Sequence, residues 1–284
     1  MSHDLSLRSL LSSSPLPPSE ARLLMSHVLE KHYQLPRSAL LSRDEMSLSL
    51  EAILQWQELQ SKRLDGEPIA YLIGKRGFHD IELYVAPGVL IPRPETELLV
   101  ETGLQEIAQR HGSAKVLDLG TGSGAIALAI ANAAPHVLLT ATDQSSEALA
   151  IAKTNAQLLN LEARVQLLQG SWYEALNDDV RFDIILSNPP YISSLDPHLS
   201  QGDLRFEPKS ALTDHAGGLT CLEAIIDGAK DHLSPNGLIA VEHGFDQSDA
   251  VVNLLKTAGL SDIQTYLDLA GHRRVASGRN SGGQ

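Results

Sequence analysis

Hydrophobic and polar positions change period along this chain, and the changes mark out three stretches. Through residue 73 the apolar positions recur at helical spacing with no strand-like alternation between them. Pro17-Pro18-Ser19-Glu20 opens a helix that runs through Leu29, Arg37 to Leu41 form a short one, and Ser47 caps a long amphipathic one ending near Leu64. The Ser-rich opening segment reads as a first short helix, since Asp4 and the single Arg8 do not suit a transit peptide. From residue 74 to about 93 the period shortens to two: Gly77-Phe78-His79 and Ile81 to Val85 alternate like a hairpin, with Pro87-Gly88 as its turn. Pro92-Arg93-Pro94-Glu95-Thr96-Glu97 then opens a helix, Pro94 suiting its first turn and Glu95 and Glu97 its positive end.

Beyond residue 94, short apolar runs end repeatedly at polar or glycine loops. Lys115 to Leu119 runs into Gly120-Thr121-Gly122-Ser123-Gly124 and an alanine-rich helix. Val137 to Thr142 ends in Asp143, Val165 to Gln169 in Gly170-Ser171-Trp172-Tyr173, and Phe182 to Ser187 in Asn188-Pro189-Pro190-Tyr191. Gly237 to Glu242, Ile263 to Leu267 and Arg273 to Ser277 complete seven strands, with helices over Ser146 to Asn160, Leu219 to His232 and Gln247 to Ala258. The pattern predicts an α/β fold with a Rossmann-like seven-stranded sheet. It is preceded by a small helical bundle (1–73), read as a docking module, and a β-hairpin linker (74–93); the catalytic domain is 94–284.

The loops carry the chemistry. A strand, a glycine turn and a helix N-terminus are the parts of a nucleotide-binding crevice, where glycine lets a ligand approach the backbone. Gly120, Gly122 and Ala125 also satisfy the looser dinucleotide fingerprint, so a nicotinamide enzyme must be considered. The additional Gly124 and the later Asn-Pro-Pro-Tyr favour S-adenosylmethionine, and no Gly-Lys-Ser/Thr follows to make a P-loop. Gly120, Thr121, Gly122, Ser123 and Gly124 are therefore the candidate cofactor cradle. Asp143, about twenty residues on, is placed to grip a ribose diol, against the alternative that Asp143 or Ser145 only caps the next helix. Trp172 either lines an adenine or is ordinary packing.

Asn188-Pro189-Pro190-Tyr191 suits a planar NH2 group. The prolines offer rigid carbonyls and no competing donor, so the Asn188 side-chain oxygen and the Pro189 carbonyl can each accept one N–H, with Tyr191 as an aromatic wall. Such a site orients a nitrogen more than it exchanges protons. The alternative is a Pro-Pro turn that merely ends a strand. His198 and Asp196 read as solvated loop residues, and Glu242 and His243 as crevice lining or partners of backbone groups.

Composition narrows the partners. With 22 basic and 35 acidic residues the net charge is -13, which repels phosphate backbones and attracts a basic protein substrate. The single Cys221, in a predicted helix, excludes an internal disulfide and points to a reducing, cytoplasmic compartment. No Cys or His pair has zinc spacing and no apolar run has membrane-spanning length, so neither a metal nor a membrane is expected.

Together, Asp118 to Gly124, Asp143, Ser171-Trp172, Ser187 to Ile192, Gly202-Asp203-Leu204-Arg205-Phe206-Glu207-Pro208 and Pro87 to Glu97 resemble the HemK/PrmC family of protein-glutamine methyltransferases. The resemblance runs from about Glu67 to Arg274. It implies a class I methyltransferase sheet whose last strand is antiparallel, with S-adenosylmethionine held by Gly120 to Gly124, Asp143, Trp172 and Asn188. Asn188, Pro189, Pro190 and Tyr191 would hold the target, the Gly-Gly-Gln glutamine of class I peptide chain release factors. A monomer is expected, although the sequence does not specify oligomeric state.

Two other functions use the same parts. An N6-adenine DNA or guanine RNA methyltransferase would use the Asn188 loop on a flipped base, but needs a basic groove that the sequence does not contain. A non-catalytic cofactor-binding module would not need that loop intact. The chain ends in Gly282-Gly283-Gln284, read as an unstructured tail; a further hypothesis places Gln284 in a neighbour's substrate pocket.

Overall fold

The chain divides between Lys75 and Arg76 into two compact units. The computed structural model describes residues 5–110 and 113–282; Gly283 and Gln284, and with them the tail hypothesis, lie outside the described residues.

The first unit is helical: α1 (Leu7–Ser12), α2 (Pro18–Tyr33), α3 (Ala39–Ser42), α4 (Leu50–Leu64) and α5 (Ile69–Ile73). Pro18 stands in the first turn of α2, where its missing N–H costs nothing. The helix runs past Leu29 to Tyr33, with Lys31 and His32 at its negative end, before Gln34 turns left-handed at φ 54. Ser49, not Ser47, caps α4: its hydroxyl accepts from the Ala52 N–H, while Ser47 bridges to Ser6. That register points Ile53, Trp56 and Leu59 at Leu24, Met25 and Val28 of α2 in one buried cluster. The five-residue α5 was too short for periodicity to reveal.

In the second unit, β1 (Lys75–Phe78) and β2 (Ile81–Tyr84) form the hairpin. Its turn is His79-Asp80, not Pro87-Gly88, and His79 takes the positive φ of 49 that a two-residue connection needs. Pro87-Gly88 instead turns the chain after the hairpin. A 3-10 turn (Pro94–Thr96) leads into α6 (Glu97–Gln109), followed by β3 (Lys115–Leu119), α7 (Ala125–Ala133), β4 (Leu138–Asp143), α8 (Ser146–Leu158), β5 (Val165–Gln169) and β6 (Phe182–Ser187). Two 3-10 turns then precede α9 (Lys209–Leu212), α10 (Thr220–His232), β7 (Leu233–Glu242), α11 (Ser248–Thr257), β8 (Ser261–Leu267) and β9 (Arg273–Arg279). The hairpin is docked rather than loose. The Tyr84 N–H donates to Asn155 Oδ1 on α8 at 2.7 Å, and Asn155 Nδ2 returns a bond to the Tyr84 carbonyl at 2.9 Å.

Among the described residues, seven strands form one sheet in the order β5-β4-β3-β6-β7-β9-β8. β3 to β7 are parallel neighbours, and β9 runs antiparallel between β7 and β8. Leu117, Leu119, Ile185, Ile239 and Val241 on one face pack against Leu222, Ile225 and Ile226 of α10 and Val251 and Leu255 of α11. On the other face α6 comes so close that a methyl group at Gly103 would lie 2.9 Å from Leu186. Both faces are therefore covered, which is why the strands read as continuous apolar runs.

The strand order reverses between β3 and β6. Leu119 pairs with Ser187 there and with Thr142 on its other side, so the loops after β3, β4 and β6 emerge on one rim. A crevice at such a switch point is where open α/β sheets bind ligands.

Candidate active site

The glycine loop after β3 is held from two sides. The Gly120 and Thr121 N–H groups donate to the Thr142 carbonyl at 2.9 and 3.0 Å, and the Gly122 N–H donates to Asp143 Oδ2 at 2.9 Å. Beneath the loop, Asp118 Oδ2 accepts the Thr121 hydroxyl at 2.6 Å and the Ala127 N–H at 3.2 Å, pinning the turn to the start of α7. Burial pushes the Asp118 carboxyl up to about 7 against these two bonds, and its Oδ1 has no partner. Gly120 (φ 72) and Gly122 (φ 57) both lie in the left-handed region. A side chain at Gly120 would start 3.1 Å from the Trp172 ring, whereas one at Gly122 would meet nothing within 4 Å. The loop thus presents bare backbone to an open space.

Of the two capping candidates, Ser145 is the one that caps α8. The Ser145 hydroxyl caps α8 by accepting the Ala148 N–H, and Asp143 Oδ1 accepts the Ser145 N–H at 2.9 Å. Each Asp143 oxygen thus receives one backbone N–H and keeps lone pairs for a ligand. Burial raises this carboxyl's pKa and the two N–H bonds oppose the rise. Trp172 is half-buried at φ 47 on the same rim, and its carbonyl accepts the Thr142 hydroxyl at 2.9 Å.

Across the rim, the Ser187 hydroxyl donates to the Leu119 carbonyl at 2.7 Å, joining the two strand ends. Asn188 Nδ2 donates to Thr96 Oγ1 at 2.9 Å. That bond occupies the NH2 end of the side chain and leaves Oδ1 as an acceptor. A cavity of about 370 Å³ brings together Gly120 to Ser123, Asp143, Trp172, Asn188 and Pro190. Gly124, Pro189 and Tyr191 do not line it. Tyr191, expected as an aromatic wall, instead packs against the cluster under α10 and donates its hydroxyl to Glu242 Oε1 at 3.0 Å. A buried acceptor captures the phenol, and desolvation then holds its pKa above the usual tyrosine range.

Several contributors were not legible in the sequence. The segment of Thr96 has two sequence readings, a helix start and, by the family resemblance, a place beside the cofactor; the structure lines the cavity with Thr96, but its bond to Asn188 leaves no sequence signal. Glu207, with a wholly buried side chain, pairs with Arg93 and accepts the Ile91 N–H at 2.9 Å. It ties the Val89–Pro92 rim of the cavity to Pro208, Ser210 and Ala211 opposite. Glu242, at the end of β7, binds side chains rather than backbone; burial pushes it up to about 7, while the Thr96 and Tyr191 hydroxyls and Arg274 act against that rise. His243 is buried and donates Nδ1–H to the Gly244 carbonyl, and burial lowers its pKa. His198 and Asp196 form an exposed pair, as expected of loop residues. Cys221 is half-buried in α10. Among the described residues no cluster of three or more His, Cys, Asp or Glu could hold a metal ion, and no helix is long and apolar enough to cross a membrane.

Comparison with known proteins covers both units. Residues 6–74 match the family model of the PrmC N-terminal domain, and residues 94–203 that of the methyltransferase small domain. A release factor glutamine methyltransferase of Bordetella pertussis is 49% identical over 272 residues, covering 96% of this chain and 98% of its own. Proteins of the same name from Burkholderia pseudomallei (45%, covering 96% and 95%) and Salmonella typhimurium (42%, covering 95% and 94%) are similar over comparable lengths. Among solved structures, a Pyrococcus furiosus methyltransferase superposes with a TM-score of 0.53 at 18% identity, over 79% of this chain and 98% of that one. A T. thermophilus 16S rRNA methyltransferase gives 0.53 at 20% identity, over 72% and 49%. These two speak for the class I methyltransferase fold.

Proposed function

Because the chain belongs to the release factor glutamine methyltransferase family, we propose that its glycine-loop cavity seats S-adenosylmethionine and that Asn188 and Pro189 hold the substrate amide. The protein is an S-adenosylmethionine-dependent methyltransferase whose substrate is a release factor glutamine. The finer reading is that the target is the Gly-Gly-Gln glutamine of class I factors, methylated on its side-chain nitrogen.

The cavity suits that cofactor. Bare backbone at Gly120 and Gly122 admits a ligand closely, Asp143 keeps lone pairs for vicinal hydroxyls, and Trp172 offers a ring beside them. When bound, S-adenosylmethionine supplies an electrophilic methyl group on a sulfonium. The protein's own task is to aim the nucleophile, because an amide nitrogen has a delocalised lone pair and attacks poorly. Asn188 Oδ1 and the Pro189 carbonyl would each accept one N–H of the glutamine amide, turning a nitrogen face toward the cavity and favouring loss of conjugation. The methylated nitrogen is positively charged and strongly acidic, so its proton leaves without a dedicated base.

The observation that carries this reading is the Asn188–Thr96 bond at the sheet's switch point, which leaves the asparagine oxygen as the acceptor beside the glycine loop. The helical unit serves as the docking module for the factor, and the enzyme acts as a cytoplasmic monomer without nucleic-acid contact. The test is labelled methyl transfer to purified release factor, to a factor whose Gly-Gly-Gln glutamine is replaced by alanine, and to duplex DNA. Label is expected only in the unaltered factor; equal labelling of both factors, or label in DNA alone, would refute the substrate.

A further inference from the structure

We propose that Gln247 is a positioning residue for methyl transfer: its side-chain amide clamps the far end of the Asn-Pro-Pro-Tyr loop and so aims the Pro189 carbonyl at the substrate. The inference rests on the reading that Asn188 and Pro189 receive the glutamine amide.

Three loops meet on this one side chain, which stands at the start of α11. Gln247 Nε2 donates to the Tyr191 carbonyl after β6 at 2.9 Å and to the Gly218 carbonyl before α10 at 3.2 Å. Its Oε1 accepts the Gly244 N–H after β7 at 2.8 Å. The Gln247 N–H donates to the Gly244 carbonyl at 2.9 Å, so the backbone that carries the clamp is itself closed into a turn. Gly218 is fixed from behind. Its N–H donates to Asp214 at 2.9 Å, and the same carboxylate accepts the Ala216 N–H at 2.8 Å and the Thr220 N–H at 2.9 Å. No side chain fits at Gly218, where φ is 89 and a methyl group would lie 2.4 Å from the Tyr191 carbonyl oxygen. One residue further along, the Ile192 N–H donates to the Leu212 carbonyl at 3.0 Å.

Proline fixes φ, and a residue that precedes proline is confined to extended backbone. Pro189-Pro190 is therefore a stiff arm, and the direction of the Pro189 carbonyl follows from where the two ends of that arm are held. At the near end Ser187 is paired to Leu119 in the sheet, and Asn188 is bonded to Thr96 at 2.9 Å. At the far end Tyr191 has two anchors. Its hydroxyl reaches Glu242 at 3.0 Å through a side chain with two torsions, whereas Gln247 holds the backbone carbonyl itself. Glutamine suits this junction because its nitrogen supplies two donors for two carbonyls while its oxygen takes an N–H, a combination that a carboxylate cannot offer. Neither Gln247 nor Gly218 lines the cavity, so the clamp governs the aim of the nucleophile and not cofactor affinity.

The experiment compares full-length wild type with Gln247→Glu, Gln247→Ala, Gly218→Ala and Asn188→Ala, and with each Gln247 variant combined with Asn188→Ala. Calorimetry with S-adenosylmethionine gives Kd and the binding-competent fraction; methyl transfer to purified release factor gives kcat per competent site and KM. Gln247→Glu keeps an acceptor for the Gly244 N–H but turns a carboxylate oxygen on two carbonyls, so kcat should fall roughly 10- to 100-fold with cofactor Kd within a few-fold. Gly218→Ala pushes the same Tyr191 carbonyl from the other side and should fall comparably. Because the Pro189 and Asn188 acceptors work as a pair, the double variant should lose at most about threefold more than Asn188→Ala alone. Losses that multiply in the double variant, a Gln247→Glu kcat near wild type, or a cofactor Kd that rises in step with the fall in kcat would overturn the proposal. If Gln247→Glu misfolds and binds no cofactor, Gln247→Ala takes its place in the same comparison. Loss of activity in Asn188→Ala but not in the Gln247 variants refutes this inference alone; full activity in Asn188→Ala refutes the underlying site as well.

Discussion

Thr96 engages the NH2 end of Asn188, which leaves Oδ1 as the end open to a ligand. Replacing it with alanine should lower kcat by ~100-fold or more while cofactor Kd stays within a few-fold, since the interaction lost is one that aims the nucleophile. Cofactor affinity falling in step with kcat would show instead that Asn188 serves mainly the cofactor. Asp118 permits a separate check. Its pKa is raised to about 7 in the fold, above the ordinary value near 3.8 that it has when unfolded. A carboxyl whose pKa is raised contributes stability that is present below the unfolded value and lost as pH rises through the folded one. Asp118→Asn should therefore gain in melting temperature relative to wild type between about pH 5 and 8. A difference that stays constant over that range would show that Asp118 does not titrate there.

At the scale of elements, the Pro-Arg-Pro-Glu-Thr-Glu segment does more than start a helix. It supplies Thr96 to the Asn188 loop and Arg93 to the buried Glu207, so two rims of the cavity depend on it. Removing one partner of a buried pair leaves the other uncompensated, so Glu207→Ala should cost about 3 kcal/mol in chemical denaturation and weaken cofactor binding. A loss of stability with cofactor Kd unchanged would show that the rim is not part of the binding site. The strand runs Lys115 to Leu119, Val165 to Gln169 and Phe182 to Ser187 appear in the structure with the limits their apolar pattern predicted. The pattern works because strands buried on both faces must be apolar throughout. The hairpin turn and the α4 cap each departed from expectation, by several residues and by two. Left-handed backbone at His79 and the choice between Ser47 and Ser49 depend on what the flanking residues pack against, which local chemistry does not specify.

For the whole molecule, a net charge of -13 attracts any basic face that the release factor presents for docking. Raising salt from about 50 to 300 mM should increase KM for the release factor several-fold and leave kcat nearly unchanged, because screening acts on encounter. A salt-independent KM would argue that docking rests on apolar contact. The hairpin is held against α8, where Asn155 binds both backbone groups of Tyr84.

By itself, the sequence determined the α/β alternation, the glycine loop, the acidic residue after the second strand of the sheet and the Asn-Pro-Pro-Tyr loop. All of these are local: strand periodicity, glycine at positive φ and rigid proline carbonyls are written in neighbouring residues. Tertiary structure alone decided which end of Asn188 Thr96 engages, that Tyr191 turns inward, and that Glu242 takes its hydroxyl. Those outcomes join Thr96 to Asn188 across 92 positions of sequence and Tyr191 to Glu242 across 51. A hydrogen bond between such distant residues leaves no period or motif in the chain; it exists only once the sheet has brought their strand ends to one rim.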